Sequence, residues 1–241
     1  MTFELLILAV ELLSILATAA LAIWSMPPCK SSHVPYLLGI PVGFGLIAIA
    51  YVTETLTLLL PSLMSPAQLS INVANLLTQT YGFLFLAFVY ARRTRLPYLG
   101  ESPLIELASA LIITIFIITE SMLAFPIVSP QYGLSSLVAI NLFVRLLILF
   151  ATFYLVYETA RNWSLTKKAS EGFVVIGFAF LLVEQIGFIM ALGNLGPVAI
   201  FLGYEGRLLG LFVLNAVLYF GVKKGDFLVT LKRLGLGAPT H

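Results

Sequence analysis

The sequence predicts an all-α polytopic membrane protein of seven transmembrane helices, with the N-terminus outside, the C-terminus inside and a possible repeat of helical hairpins. Three observations lead there. Of its 241 residues, 60% are hydrophobic and only 10% charged, whereas about a quarter of a soluble globular chain is charged. Seven runs, at about 3–24, 35–60, 69–91, 104–125, 134–158, 171–193 and 198–222, approach the roughly 20 apolar residues that cross a bilayer as a helix. They lack the short alternating segments of a membrane barrel. Finally, 11 of the 13 basic residues fall after the first, third, fifth and seventh runs, from Lys30 through Arg92, Arg93 and Arg95, then Arg161, Lys167 and Lys168, to Lys223, Lys224, Lys232 and Arg233. The positive-inside rule makes that side cytoplasmic. Residues 1–224 are then a transmembrane domain of a multi-pass cell-membrane protein, and 225–241 a short cytoplasmic amphipathic tail.

The first run carries Glu4, Glu11, Ser14 and Thr18 on one face. Met1 to Leu12 holds two glutamates and no Lys or Arg, unlike a signal peptide with its positive n-region, so this run is expected to be retained. Prolines 27, 28 and 35 are expected to interrupt the helix. The second run opens with Gly39 and Gly43, a spacing that permits close helix approach, and Glu54 shares their face. In the third, Gln68, Asn72, Asn75, Gln79 and Gly82 form the clearest polar face of the chain. Amides in hydrocarbon need partners or water, so this face is either hydrogen-bonded between helices or lines a wet cavity. The fourth and fifth runs carry Glu120 and then Asn141 and Arg145; the sixth is apolar except for Glu184 and Gln185. The seventh reads Tyr204, Glu205, Gly206, Arg207, with Asn215 two turns on. The tail places Phe227, Leu228, Leu231 and Leu234 beside Lys232 and Arg233, the composition of an interfacial helix.

Glu54 and Glu120, Asn75 and Asn141, and Gln79 and Arg145 are each 66 positions apart, and Glu184 and Arg207 form a fainter third copy. Counted at 1.5 Å per residue from the predicted outer ends, Glu54, Asn75, Glu120 and Glu205 lie roughly 7 to 11 Å deep. Glu11, Gln79, Arg145, Glu184 and Arg207 lie roughly 12 to 17 Å deep. These nine residues make one polar layer between the outer surface and the midplane, while the inner half holds only Thr114, Thr152 and Asn215. Intramembrane ionisable groups are functional or paired. The expected pairs are Arg145 with Glu120, and Arg207 with Glu184 or Glu11. A channel needs polar lining along its whole length, so the asymmetry points to an outward-facing pocket.

Several chemistries are set aside. His33 lies in a loop and His241 is the last residue, Cys29 is the only cysteine and Asp226 the only aspartate. Neither a haem nor a metal site, nor a catalytic triad, is expected. Phosphate-binding glycine loops are absent, so no cofactor and no enzymatic activity are expected. The basic fringe suits anionic membrane lipid, not nucleic acid.

The N-out seven-helix plan with an outward polar layer resembles the microbial rhodopsins and the seven-helix sensor regions fused to histidine kinases. A rhodopsin holds retinal on a lysine inside its seventh helix; here that run has Glu205 and Arg207, with Lys223 only at its end, so no retinal is expected. The resemblance carries no site residues; the polar layer itself is read as that of a sensor-like or accessory subunit whose output needs another protein chain, with the arginines anchoring a small anionic ligand. The alternative is a small secondary transporter for a solute or protons, with Glu120 and Glu184 as carriers. A membrane enzyme acting on lipid is the third reading.

Overall fold

The computed structural model describes residues 2–31, 35–59, 66–99, 134–193 and 196–223. The predicted span at 104–125, with Glu120 and Thr114, and the tail at 225–241 lie outside the described residues. Six α-helices follow in order: α1 (Thr2–Ser31), α2 (Gly39–Leu59), α3 (Pro66–Leu99), α4 (Leu134–Thr166), α5 (Ala169–Leu192) and α6 (Pro197–Lys223), with a 3-10 turn at Pro35–Leu38 before α2. Each contains a stretch long and apolar enough to cross a bilayer. The chain is a multi-pass membrane protein.

The boundaries follow local chemistry. Proline opens α3 and α6 at Pro66 and Pro197, where its missing N–H costs nothing. Lys167 at φ 56° stops α4, and Gly196 at φ 81° leads into α6. Pro27 and Pro28 do not end α1, which continues to Ser31. They sit in its final turns, where their missing N–H groups deprive only the Ile23 and Trp24 carbonyls of the usual helical donor and the fixed φ already suits a helix.

The helices close into a ring in chain order, each packed on the next, with α6 returning to α1. Two seams are tight enough to require glycine. A Cβ on Gly82 would stand 2.8 Å from the Gly43 carbonyl oxygen, where α2 crosses α3. A Cβ on Gly187 would stand 2.6 Å from the Gly203 nitrogen, where α5 crosses α6. The α1 and α6 contacts instead step forward together: Glu11 with Arg207, then the Ala17 carbonyl with Asn215, then Trp24 with Tyr219. These two helices are therefore parallel. α3 runs against α5, since Gln79 meets Glu184 and Tyr90 meets Phe178.

At one end of the ring an apolar core of Phe44, Ile47, Phe83, Leu86, Ile148, Leu155, Phe178, Leu181 and Leu214 fills the interior. Hydroxyls there are spent on their own helices: Thr152 donates to the Ile148 carbonyl and Thr159 to that of Leu155. Large apolar side chains such as Leu16, Phe150, Phe212 and Phe220 cover the outside of the ring, where lipid contacts them.

Candidate functional site

Arg207 is the hub. Its position one turn after Gly203 on α6 lets the backbone approach α5 closely, and its side chain enters the ring fully buried. All three of its nitrogens meet a carboxylate from a different helix. NH1 donates to Glu11 Oε1 of α1 at 2.7 Å, NH2 to Glu54 Oε2 of α2 at 3.0 Å, and Nε to Glu184 Oε1 of α5 at 2.8 Å. Tyr51 lies against the guanidinium face, its ring centroid 4.1 Å from Cζ, with Tyr204 at 5.0 Å and Phe188 at 5.2 Å. Tyr51 also points its hydroxyl at both oxygens of Glu184, 3.4 Å away, and the Tyr204 hydroxyl lies 3.5 Å from Glu54 Oε1.

Beside this hub lies a second, differently wired cation. Arg145 of α4 donates from NH1 to Gln79 Oε1 of α3 at 3.3 Å and to Gln185 Oε1 of α5 at 3.4 Å. Its guanidinium lies over the Phe188 ring at 4.6 Å. Among the described residues no carboxylate pairs with it. Gln79 joins the two halves, because its Nε2 donates to Glu184 Oε1, the atom that Arg207 Nε also reaches. The interior is thus one network from Glu11 to Arg145, supplied by all six helices.

Two buried polar atoms of the network are unsatisfied, Glu11 Oε2 and Gln185 Nε2, as is Asn75 Oδ1 one turn before Gln79. Glu11, Gln79, Glu184, Gln185 and Arg207 are completely buried. The Glu54 side chain is 12% exposed, and Arg145 and Tyr204 are each 7% exposed. Among the described residues the charged groups of the layer are buried, with Glu54 at its edge.

No family model, curated protein or solved structure matches this chain. The site has to be read from its own chemistry.

Of the nine sequence candidates, Glu11, Glu54, Gln79, Arg145, Glu184 and Arg207 are brought together. Asn75 is buried one turn from Gln79 on α3. Glu205 is a correction. It is exposed, and Phe201, Leu202, Leu209 and Phe212 around it on α6 are exposed too; a single residue step of about 100° separates the inward Tyr204 face from the outward one. Arg207 takes both of its expected partners and Glu54 as well. Glu120, the expected partner of Arg145, lies outside the described residues. Gln79 and Arg145, equivalent under the 66-residue offset, are in contact. The sequence reading left out Tyr51, Gln185 and Phe188. Tyr51 sits three positions before Glu54, on its helix face, a spacing that was legible. Among the described residues no cluster of His, Cys, Asp and Glu has the makings of a metal site.

Proposed function

We propose that the chain is a small secondary transporter in which the buried network carries a proton. One observation supports this above the rest: three carboxylates from three helices converge on one guanidinium. With Arg145 counted, three negative groups face two positive ones. A structural staple needs one carboxylate per cation, and each further buried charge costs several kcal/mol. A single proton balances the set. Carboxylates held near the midplane with a spare protonation position are the usual means of proton transfer across a bilayer, and a site between helices at that depth suits alternating access. Glu54 is the point of exchange with the outside. The carriers are Glu11, Glu54 and Glu184; of the pair expected from the sequence, Glu184 is among them and Glu120 lies outside the described residues.

Seven spans, with the N-terminus out, belong to the same proposal. α3 and α4 both run against α5, and that shared direction supports a further span in the connection between them. Reporter fusions at each loop test that topology.

The test of transport uses purified protein in vesicles with a pH-sensitive dye inside. An acid step with small solutes outside drives proton entry in wild type. Glu54→Gln and Glu11→Gln abolish it. Wild-type vesicles as tight as empty ones under every gradient and solute defeat the reading.

A second reading, an accessory subunit, is supported by Glu205 alone. A carboxylate amid an exposed apolar face costs about 3 kcal/mol against lipid and is relieved by a cation on another chain. Native electrophoresis of membrane extracts then shows a larger complex that Glu205→Leu dissolves; identical monomer bands from both proteins remove this reading.

A further inference from the structure

We propose that Arg145 is the anchor of a substrate site, that the substrate is a small monocarboxylate, and that it binds together with one proton. The proposal rests on the transporter reading above and names its cargo.

The two buried guanidiniums divide the work. Every nitrogen of Arg207 is occupied by the protein's own carboxylates, so no anion has a place there. Arg145 is 7% exposed and its described hydrogen bonds all leave from NH1 to neutral amides, at 3.3 and 3.4 Å. Nothing described engages its Nε and NH2 edge, the edge that grips a carboxylate with two parallel hydrogen bonds. Gln185 supplies the second element. Its Oε1 accepts from Arg145, which places its completely buried Nε2 next to the guanidinium with no acceptor. A buried amide N–H without a partner is a cost that a ligand oxygen removes. Phe188 covers the flat face of the guanidinium and gives an organic acid an apolar surface for its body. One guanidinium carries one charge, which matches a monocarboxylate better than sulfate or a phosphate dianion.

The network sets the proton count. Facing this region are Glu11 from α1, Tyr51 and Glu54 from α2, Arg145 from α4, Glu184 from α5, and Tyr204 and Arg207 from α6, while α3 contributes amides only. Among the described residues, three carboxylates against two guanidiniums leave one negative charge, which one proton neutralises. An arriving monocarboxylate restores that excess, and a second proton, taken by the glutamates, neutralises it again. Gln79 carries the coupling, since it holds Arg145 with its oxygen and Glu184 with its nitrogen. Charge balance therefore gives one proton per anion and an electroneutral cycle. By linkage, anion affinity rises as pH falls, by up to about tenfold per pH unit.

The experiment is equilibrium binding to the full chain in detergent, followed by thermal denaturation and by titration calorimetry in buffers of different ionisation enthalpy. Acetate, lactate and benzoate are the probes, with chloride and sulfate as controls, at pH 5.5 and 7.5. At least one monocarboxylate stabilises wild type, more strongly at pH 5.5, with about one proton taken up per anion. Arg145→Gln weakens that binding at least about 30-fold, the low end for truncating a buried charge partner. Gln185→Glu guards against misfolding: it seats a carboxylate beside Arg145, so it stabilises the anion-free protein and removes the response to the probe. The proposal is overturned if no monocarboxylate shifts wild type at either pH, if sulfate does so better, if binding takes up no proton, or if both variants bind like wild type. Binding at Arg145 without proton entry into vesicles would remove the transporter reading and leave the site standing. Proton entry without monocarboxylate binding would do the reverse.

Discussion

Two arginines in one layer behave differently because of what surrounds them. Removing Arg207 leaves Glu11, Glu54 and Glu184 facing one another in a dry interior, and the loss of one partner from a buried ion cluster costs about 3 to 5 kcal/mol. Arg207→Gln is therefore expected to lower the unfolding free energy in detergent by that amount, and Glu184→Gln in the same chain to restore part of it. Arg145 is held by amides, so Arg145→Gln costs only about 1 kcal/mol in the same assay. Equal losses for the two single variants contradict this account. The depth of each charge was legible in the sequence, because rise per residue is constant and Glu11, Glu184 and Arg207 fall at one level. Direction around the helix was legible only in part: the sequence sets Glu205 about 100° to the side of the face that carries Tyr204 and Arg207, without saying what that side meets. Glu205 and Arg207 lie at nearly the same depth, yet one faces out and the other in; Glu184 and Gln185 are neighbours, yet both face protein because α5 is covered by α4 on one flank and α6 on the other.

The two glycine seams decide how closely helices approach, and so whether the charged groups meet at all. At Gly187 an added Cβ meets backbone atoms, the Gly203 nitrogen at 2.6 Å and the Ala199 oxygen at 2.8 Å. Backbone has no rotamer to escape into, so α5 and α6 have to separate. Gly187→Ala is expected to cost about 1 to 3 kcal/mol and to loosen the Glu184 to Arg207 bond one turn away. Gly45, which would place its Cβ in open space, is the control. Gly45→Ala should be neutral or stabilising by up to about 1 kcal/mol in the same denaturation experiment. A smaller effect is expected at Asn215, whose Nδ2 reaches the Ala17 carbonyl at 2.9 Å: Asn215→Leu should cost about 0.6 kcal/mol, typical of interhelical hydrogen bonds in membranes. The small-residue spacing at Gly39 and Gly43 announced a packing face. Which helix would fill it was not legible, since spacing describes one surface and a seam needs two.

At the scale of the whole molecule, the ring joins its first described helix to its last. This closure gives the bundle an inside, and the hydrophobic runs alone did not announce it: seven apolar segments are compatible with many arrangements, and only the shared depth of the polar groups hinted that they meet. Closure also has a consequence in time. Glu11 and Arg207 are 196 residues apart in the chain, so at about 5 to 20 residues per second the ribosome makes the second partner some 10 to 40 s after the first. Throughout that interval Glu11, Glu54 and finally Glu184 enter the membrane with their cation still unmade. A chain interrupted before Pro197 should therefore fail to accumulate, and glutamine at those three positions should let the fragment persist, as pulse-chase labelling would record. The protein is most exposed to quality control in the seconds before its last described helix arrives.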